Sequence, residues 1–234
     1  MKYEVIKIPS FFTNAYLIKG KRIALIDTLA PFSLSRLCSS LSRNGIGIGD
    51  IEFVLLTHHH FDHAGCAAYI RRLSGAYVIA GFEDAPFIEG EIETPLPSQI
   101  NRLGRVLGKL PPALVRKVQS YERVKVDYRV RDGERIDELG FEVLSLPGHT
   151  PGGVAYMDRD ARIAFIGDMV SSFFGRLGMP SLSASTSLDD IIASQEKLAS
   201  LDMDIFYPGH GDIIAPSASN TVGEFVARRK SKLS

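Results

Sequence analysis

Six histidines occur in the chain, and all lie in three turns. Four fall within Thr57-His58-His59-His60-Phe61-Asp62-His63. The others are His149, in Pro147-Gly148-His149-Thr150-Pro151-Gly152, and His210, in Pro208-Gly209-His210-Gly211. Imidazole and carboxylate donors together suit Zn, Fe, Mn or Co. His58 and His60 are two residues apart, so in an extended turn they face the same way and can share one ion. Asp62 and His63 then fall to a neighbouring ion. His59 should face away from both, as a hydrogen-bonded structural residue. A carboxylate such as Asp168, in the Gly167-Asp168 turn, has two oxygens and can bridge two metals. Seven ligands (His58, His60, Asp62, His63, His149, Asp168 and His210) suit a pair of ions with a hydroxide between them. Taken singly, the Pro-Gly-His turns and Gly167-Asp168 are ordinary turns. Their joint occurrence with the HxHxDH run points to a metal centre.

Each turn follows an apolar run of strand length: Phe53–Leu56, Phe141–Leu146, Ile163–Ile166 and Ile205–Tyr207. Four strand ends can deliver side chains to one rim, where function is usually built. Further strands are predicted at Glu4–Ile8, Ala15–Ile18, Arg22–Ile26, Ala76–Ala80, Val124–Val126 and Val154–Tyr156. A helix is expected from Pro31, with Leu34, Leu37 and Leu41 on one face and Asn44-Gly45 as its stop. Others are expected over Ala64–Leu73 with Gly75 as the stop, from Ser187 to Leu201 with Asp189 and Asp190 in the first turn, and from Ser217 onward. Many strands with interspersed helices suggest two sheets covered by helices.

One stretch differs. Residues 83–93 hold five acids and no bases, whereas residues 98–121 hold five bases and no acids. Ile100, Leu103, Leu107, Leu110, Leu114 and Val118 make the basic part amphipathic, with a break at Pro111-Pro112. It is expected to be a helical insertion, at about 82–121, in a single domain spanning 1–234. Its apolar face would pack down as a lid or wall, while Arg102, Arg105 and Lys109 attract an anionic substrate. A homodimer contact through the same stripe is the competing reading, as is a solvated face.

The chain has 234 residues, with 27 Lys+Arg against 27 Asp+Glu. Zero net charge removes any global drive toward nucleic acid or an anionic membrane. Cys38 and Cys66 lie outside any CxxC, so a disulfide framework or a cysteine metal site is not expected. Glu4 and Lys7 interrupt the apolar N-terminus, which reads as neither a signal peptide nor a membrane span. The expected location is the cytoplasm.

The order Thr57-His58-x-His60-x-Asp62-His63, then His149, Asp168 and His210, resembles the metallo-β-lactamase-fold superfamily. The resemblance runs from Asn14-Ala15-Tyr16-Leu17 and Leu25-Ile26-Asp27-Thr28 to Gly209-His210-Gly211. It implies an α/β fold, a four-layer αββα sandwich of two mixed sheets flanked by helices. It implies one metal on His58, His60 and His149, a second on Asp62, His63 and His210, and Asp168 bridging. Within the superfamily, Thr57-His-His-His-Phe-Asp-His-Ala-Gly is similar to glyoxalase II and its thioester-hydrolysing relatives. Two departures stand out: Cys66 replaces a usual second glycine, and only 24 residues follow His210, too few for a glutathione-binding helical domain. Glutathione thioesters are therefore not the expected substrate. Antibiotic hydrolysis and RNA processing are set aside as well.

The expected activity is a dinuclear metal-dependent hydrolase, with two divalent ions, Zn before Fe or Mn. A metal-bound hydroxide would attack a small ester, thioester, lactone or phosphoester. Asp62 would orient that hydroxide, and Asp27 and Thr57 would support the ligands. The alternative is a persulfide dioxygenase-like oxidoreductase with one iron on His58, His149 and Asp168, by resemblance.

Overall fold

The computed structural model describes residues 3–11 and 13–231. The chain forms two compact units: Met1–Thr94 with Pro112–Arg131, and Pro95–Pro111 with Asp132–Ser234. The first contains β1 (Glu4–Pro9), β2 (Asn14–Lys19), β3 (Ile23–Ile26), α1 (Leu34–Arg43), β4 (Phe53–Leu56), α2 (Phe61–Ala64), α3 (Ala67–Ser74), β5 (Tyr77–Gly81) and α4 (Ala85–Glu89). Next in the chain come α5 (Arg102–Leu107), which belongs to the second unit, α6 (Pro112–Val118) and β6 (Tyr128–Val130), which belong to the first. The second unit continues with β7 (Arg135–Ile136), β8 (Phe141–Ser145), β9 (Val154–Asp158), β10 (Ile163–Gly167), β11 (Ser171–Phe173), β12 (Arg176–Gly178), α7 (Leu188–Ala199), β13 (Ile205–Pro208) and α8 (Ala218–Lys230).

In the first unit the six strands lie in the order β1-β2-β3-β4-β5-β6. The β1/β2 and β2/β3 pairs are antiparallel, and the pairs from β3 to β6 are parallel. β4 reads Phe-Val-Leu-Leu and is buried at every position. That is the signature of an inner parallel strand, whose two faces both lack polar residues. Leu17, Leu25, Val54 and Leu56 of the sheet share a core with Leu37 and Leu41 of α1 and Ile70 of α3. α3 ends where expected, with Gly75 in the left-handed region and its N–H bonded to the Arg71 carbonyl.

The edge of this sheet is fastened by Asp127. Its carboxylate accepts from the Val78 N–H at 2.9 Å and pairs with the Arg71 guanidinium. Burial alone would raise the Asp127 carboxyl, but the hydrogen bonds from Arg71 and Val78 hold it below its ordinary range. A depressed folded-state pKa contributes stability above the unfolded value, about 4, and that stability is lost as pH falls through the folded value. Metal-free protein is therefore expected to lose urea resistance below about pH 4. Asp127→Asn should flatten that dependence; an unchanged pH profile would remove Asp127 from the account.

In the second unit the strand order is β13-β10-β9-β8-β7. β10 and β13 are parallel and the other neighbours antiparallel. Leu144, Met157, Ala164 and Phe206 of this sheet share a core with Ile191 and Leu198 of α7 and Val222 of α8. Both units are thus mixed sheets with helices packed on them, and the fold class is α/β as expected. Among the described residues, no helix is long and apolar enough to cross a membrane.

Three expectations change. The strand expected at Val124–Val126 begins four residues later, at Tyr128. Val126 instead donates its N–H to the Glu89 carboxylate, and Val124 donates to the Ile88 carbonyl. The helix expected over Ala64–Leu73 is two helices, α2 and α3, broken at Gly65-Cys66. A Cβ at Gly65 would lie 2.3 Å from the Phe61 carbonyl and 2.5 Å from Pro31 Cδ, so no other residue fits this bend. Finally, the apolar stripe expected to pack down is mostly open: Leu103, Leu110, Leu114 and Val118 are exposed, and Ile100 and Leu107 are half-buried. α5 has only six residues, and its one buried position is Gly104. So short a helix has too little face to cover a leucine stripe.

Candidate metal centre

In the first unit, β4 feeds the histidine run directly. His60 is the extended residue before α2, and Asp62 and His63 lie in that single turn of helix. The rings of His58 and His60 have centroids 4.8 Å apart, and those of His58 and His63 4.0 Å apart. Asp62 Oδ2 accepts from Thr13 Oγ1 at 3.0 Å and lies 3.8 Å from His63 Nε2. These four donors form one group in the first unit.

Asp27 organises that group. It follows β3 with φ +57°, an uncommon conformation that Asp tolerates better than most residues. Its carboxylate accepts from the Thr57 N–H and the Thr57 hydroxyl, each at 2.8 Å, and from His63 Nδ1 at 2.8 Å. A carboxylate with Nδ1 makes that nitrogen the proton-bearing one, leaving the lone pair on Nε2. Because Thr57 Oγ1 donates to Asp27, it can only accept from His58 Nδ1, 3.1 Å away. His58 is fixed in the same tautomer. Asp27 and Thr57, expected to support ligands, hold two imidazoles with Nε2 as the donor atom.

His59 is differently engaged. Its N–H and its Nδ1 both lie against the buried Asp84 carboxylate, at 2.9 and 3.0 Å. Its ring stacks on Phe87 at 4.4 Å, and its carbonyl accepts from the Tyr121 hydroxyl. His59→Ala should cost about 2–4 kcal/mol of stability through the cavity and the lost Asp84 contact, while the folded protein keeps its metal. Urea unfolding and metal analysis read the two effects separately. Metal loss at normal stability would contradict this assignment.

In the second unit, His149, Asp168 and His210 converge. Asp168 Oδ2 lies 3.3 Å from His149 Nε2 and 2.9 Å from His210 Nε2. His149 Nδ1 is 3.0 Å from Ser185 Oγ, and that hydroxyl donates to the Ser181 carbonyl. The hydroxyl therefore accepts from Nδ1, and His149 too presents Nε2. α7 clamps these turns: Ser194 donates to the Pro147 carbonyl, and Gln195 to the Met169 carbonyl. The Gly209 N–H reaches the Gly167 carbonyl at 2.7 Å and ties the Asp168 and His210 turns together. Gly211 has φ +84°, and a Cβ there would lie 1.7 Å from the Ser172 carbonyl oxygen. Ser185, Gln195 and the β11–β12 hairpin were not anticipated. Single serines and glutamines far along the chain carry no spacing signal.

The donor set fits divalent metal. Several imidazoles present lone pairs beside carboxylates, and their other nitrogens are held by hydrogen bonds. Cys66 plays no part. Burial pushes its thiol up to about 12, so it stays protonated at neutral pH. Arg102, Arg105 and Lys109 lie exposed on and just after α5.

The sequence matches the Metallo-beta-lactamase superfamily over residues 8–210. The chain belongs to the metallo-beta-lactamase superfamily. Hydroxyacylglutathione hydrolase GloC of Haemophilus influenzae is 30% identical over 217 residues, covering 90% of this superfamily member and 91% of the relative. A probable metallo-hydrolase of Methanocaldococcus jannaschii is 28% identical, covering 87% and 89%. A metallo-beta-lactamase family protein of Thermus thermophilus superposes with a TM-score of 0.77 at 22% identity, over 99% of this chain and 80% of that one. The metallo-beta-lactamase superfamily member is accordingly a metal-dependent hydrolase of this fold. A relative matched over nearly its whole length bears the hydroxyacylglutathione hydrolase name, so the short tail after His210 does not exclude such thioesters.

Proposed function

We propose that the protein is a dinuclear hydrolase of small thioesters or esters. The observation that carries this reading is the tautomer lock: Asp27, Thr57 and Ser185 leave His63, His58 and His149 with Nε2 as the donor atom. His58, His60 and His149 would hold one ion, Asp62, His63 and His210 the second, and Asp168 would serve both. Zn is the first candidate, because nitrogen and carboxylate donors suit it. Bound metal would supply an acidic water and an electrophile for the substrate oxygen. The chain's own part is orientation. Thr13 fixes the Asp62 carboxylate through Oδ2, and that carboxylate would align the water and take up its proton. Lactones and phosphoesters remain in the substrate range. The cytoplasm fits a substrate of this kind.

Metal analysis of purified protein, joined to a screen of generic esters, thioesters, lactones and phosphodiesters, tests this reading. Two metals per chain with thioester or ester turnover supports it. One iron per chain with oxygen uptake would replace it with the dioxygenase reading.

We also propose that Arg102, Arg105 and Lys109 draw anionic substrate toward the protein by long-range attraction, whereas the exposed stripe beside them suits a homodimer contact. Changing all three to Gln should flatten the salt dependence of kcat/KM and raise KM for anionic substrates, with kcat changing less. Equal salt slopes in parent and variant would rule the attraction out.

A further inference from the structure

Outside the metal-binding turns, the first unit has a cleft of about 520 Å³ between the loop after β1 and the start of α1. Arg36, Ser39 and Arg43 line it from one face of α1, at spacings i, i+3 and i+7. Phe32 adds a ring one turn earlier, and Phe11 faces them from the loop. The two rings are 62% and 78% exposed, so both faces are open to a ligand. The Arg36 guanidinium lies 5.4 Å from the Phe11 ring centroid.

The charges are uncompensated. Arg36 bonds only the Pro9 carbonyl and Arg43 only the Ser40 hydroxyl; among the described residues neither has an acidic partner. By contrast, Arg22, Arg71, Arg129, Arg159 and Arg162 are all ion-paired. α1 contains no acid, nor does the cleft wall. Two arginines whose positions are about 10 Å apart along one helix, with no acidic partner among the described residues, create a local positive field in a chain of zero net charge. Guanidinium recognises carboxylate and phosphate through paired N–H donors, and the rings offer flat apolar contact beside it.

Both walls are anchored to the histidine run. Two residues beyond Phe11, Thr13 holds Asp62 at 3.0 Å. The Pro31 turn that carries Phe32 presses on Gly65 at the end of α2. A molecule seated in the cleft therefore lies beside the segment that presents Asp62 and His63.

We propose that this cleft is an anion-recognition subsite for the substrate of the metal centre. The substrate class is an acyl compound bearing a carboxylate or phosphate on a flat or apolar segment. Arg36 and Arg43 hold the acid, and Phe11 and Phe32 cover the segment. This rests on the hydrolase reading above.

The test uses the metal-loaded full chain, an Arg36→Gln/Arg43→Gln variant and a Phe11→Ala variant. The substrates are an aryl thioester with a carboxylate tail, its phosphate counterpart and its neutral counterpart. Calorimetry measures binding of the uncleavable thioether analogue of each. In the double variant, the preference for an anionic over the neutral thioester should fall about tenfold, mainly through KM, and the anionic analogue should bind about tenfold more weakly. Whichever anionic tail shows the larger loss identifies the acid. Phe11→Ala should weaken all three analogues without changing the charge preference. An unchanged preference and unchanged analogue binding in the double variant, with the parent active, overturns the subsite and leaves the hydrolase reading intact. A parent that cleaves none of these thioesters and none of the esters, lactones and phosphodiesters of the screen above, yet loses analogue binding with the arginines, overturns the proposed function and keeps the cleft as an anion site.

Discussion

Asp168→Ala is expected to lower kcat/KM by about 100-fold or more and to leave fewer than two metals per chain. The carboxylate is buried, and a single oxygen lies within 3.3 Å of both His149 Nε2 and His210 Nε2. Removing it leaves two imidazoles converging on a gap, without the carboxylate oxygen that lay against both. Folding should suffer much less. Asp168 follows β10, whose core residues, Ala164 and Ile166, pack without it. Its turn is held by main-chain bonds from Gly209 and by Gln195. Melting of chelator-treated parent and variant should differ by only a few degrees, while metal analysis and turnover separate them widely. A variant that keeps two metals and nearly full activity would show that Asp168 is not a ligand.

Asp27→Asn should have the second-largest effect, and for a subtler reason. Asn tolerates the positive φ that Asp27 adopts, so the backbone should hold. The amide, however, can accept on only one side. In the parent Oδ1 accepts from the Thr57 N–H, whereas Oδ2 accepts from both the Thr57 hydroxyl and His63 Nδ1; a main-chain N–H cannot give up its proton, so the NH₂ group takes the Oδ2 side. Facing an amide donor, His63 must give up its Nδ1 proton and carry it on Nε2, the nitrogen a metal needs unprotonated. Metal affinity should drop about 10–100-fold. Nitrogen-15 spectra of the imidazoles should show the tautomer change directly in metal-free protein. Spectra and metal affinity identical to those of the parent would mean that Asp27 serves only the backbone.

How much of this was legible follows from the physics of each element. The buried parallel strand at Phe53–Leu56 was readable because four apolar residues in a row have no other soluble use at that length. The seven expected donors stood out because histidine is rare and here clusters after strands. His59 was separable from its neighbours by alternation, and its bonds to Asp84 agree with that. The lock on Nδ1 was only half readable. Asp27 and Thr57 border strands and could be singled out, but Ser185 lies 36 residues from His149, and no local pattern marks it. The basic stretch misled because its periodicity fixes which residues share a helical face, not what that face meets. Leu103 and Val106 share a face and meet solvent. The cleft at Arg36 and Arg43 was missed for the opposite reason: α1 was read for the leucines it buries, while the pattern on its outer side went unread.

The contact between Gly211 and Ser172 has a use beyond the metal centre. The β11–β12 hairpin is fixed at its base, where Ser172 bonds the His210 carbonyl and receives the Asp212 N–H. Its tip, Phe174-Gly175, projects into open solvent. A designer who wishes to give this enzyme a new specificity loop thus has a socket with one permissive end. Segments can be grafted after Phe174, whose N–H is held by the Asp212 carboxylate and whose neighbour Gly175 is uncrowded, while the two residues at the root keep their sequence and hold the graft beside His210.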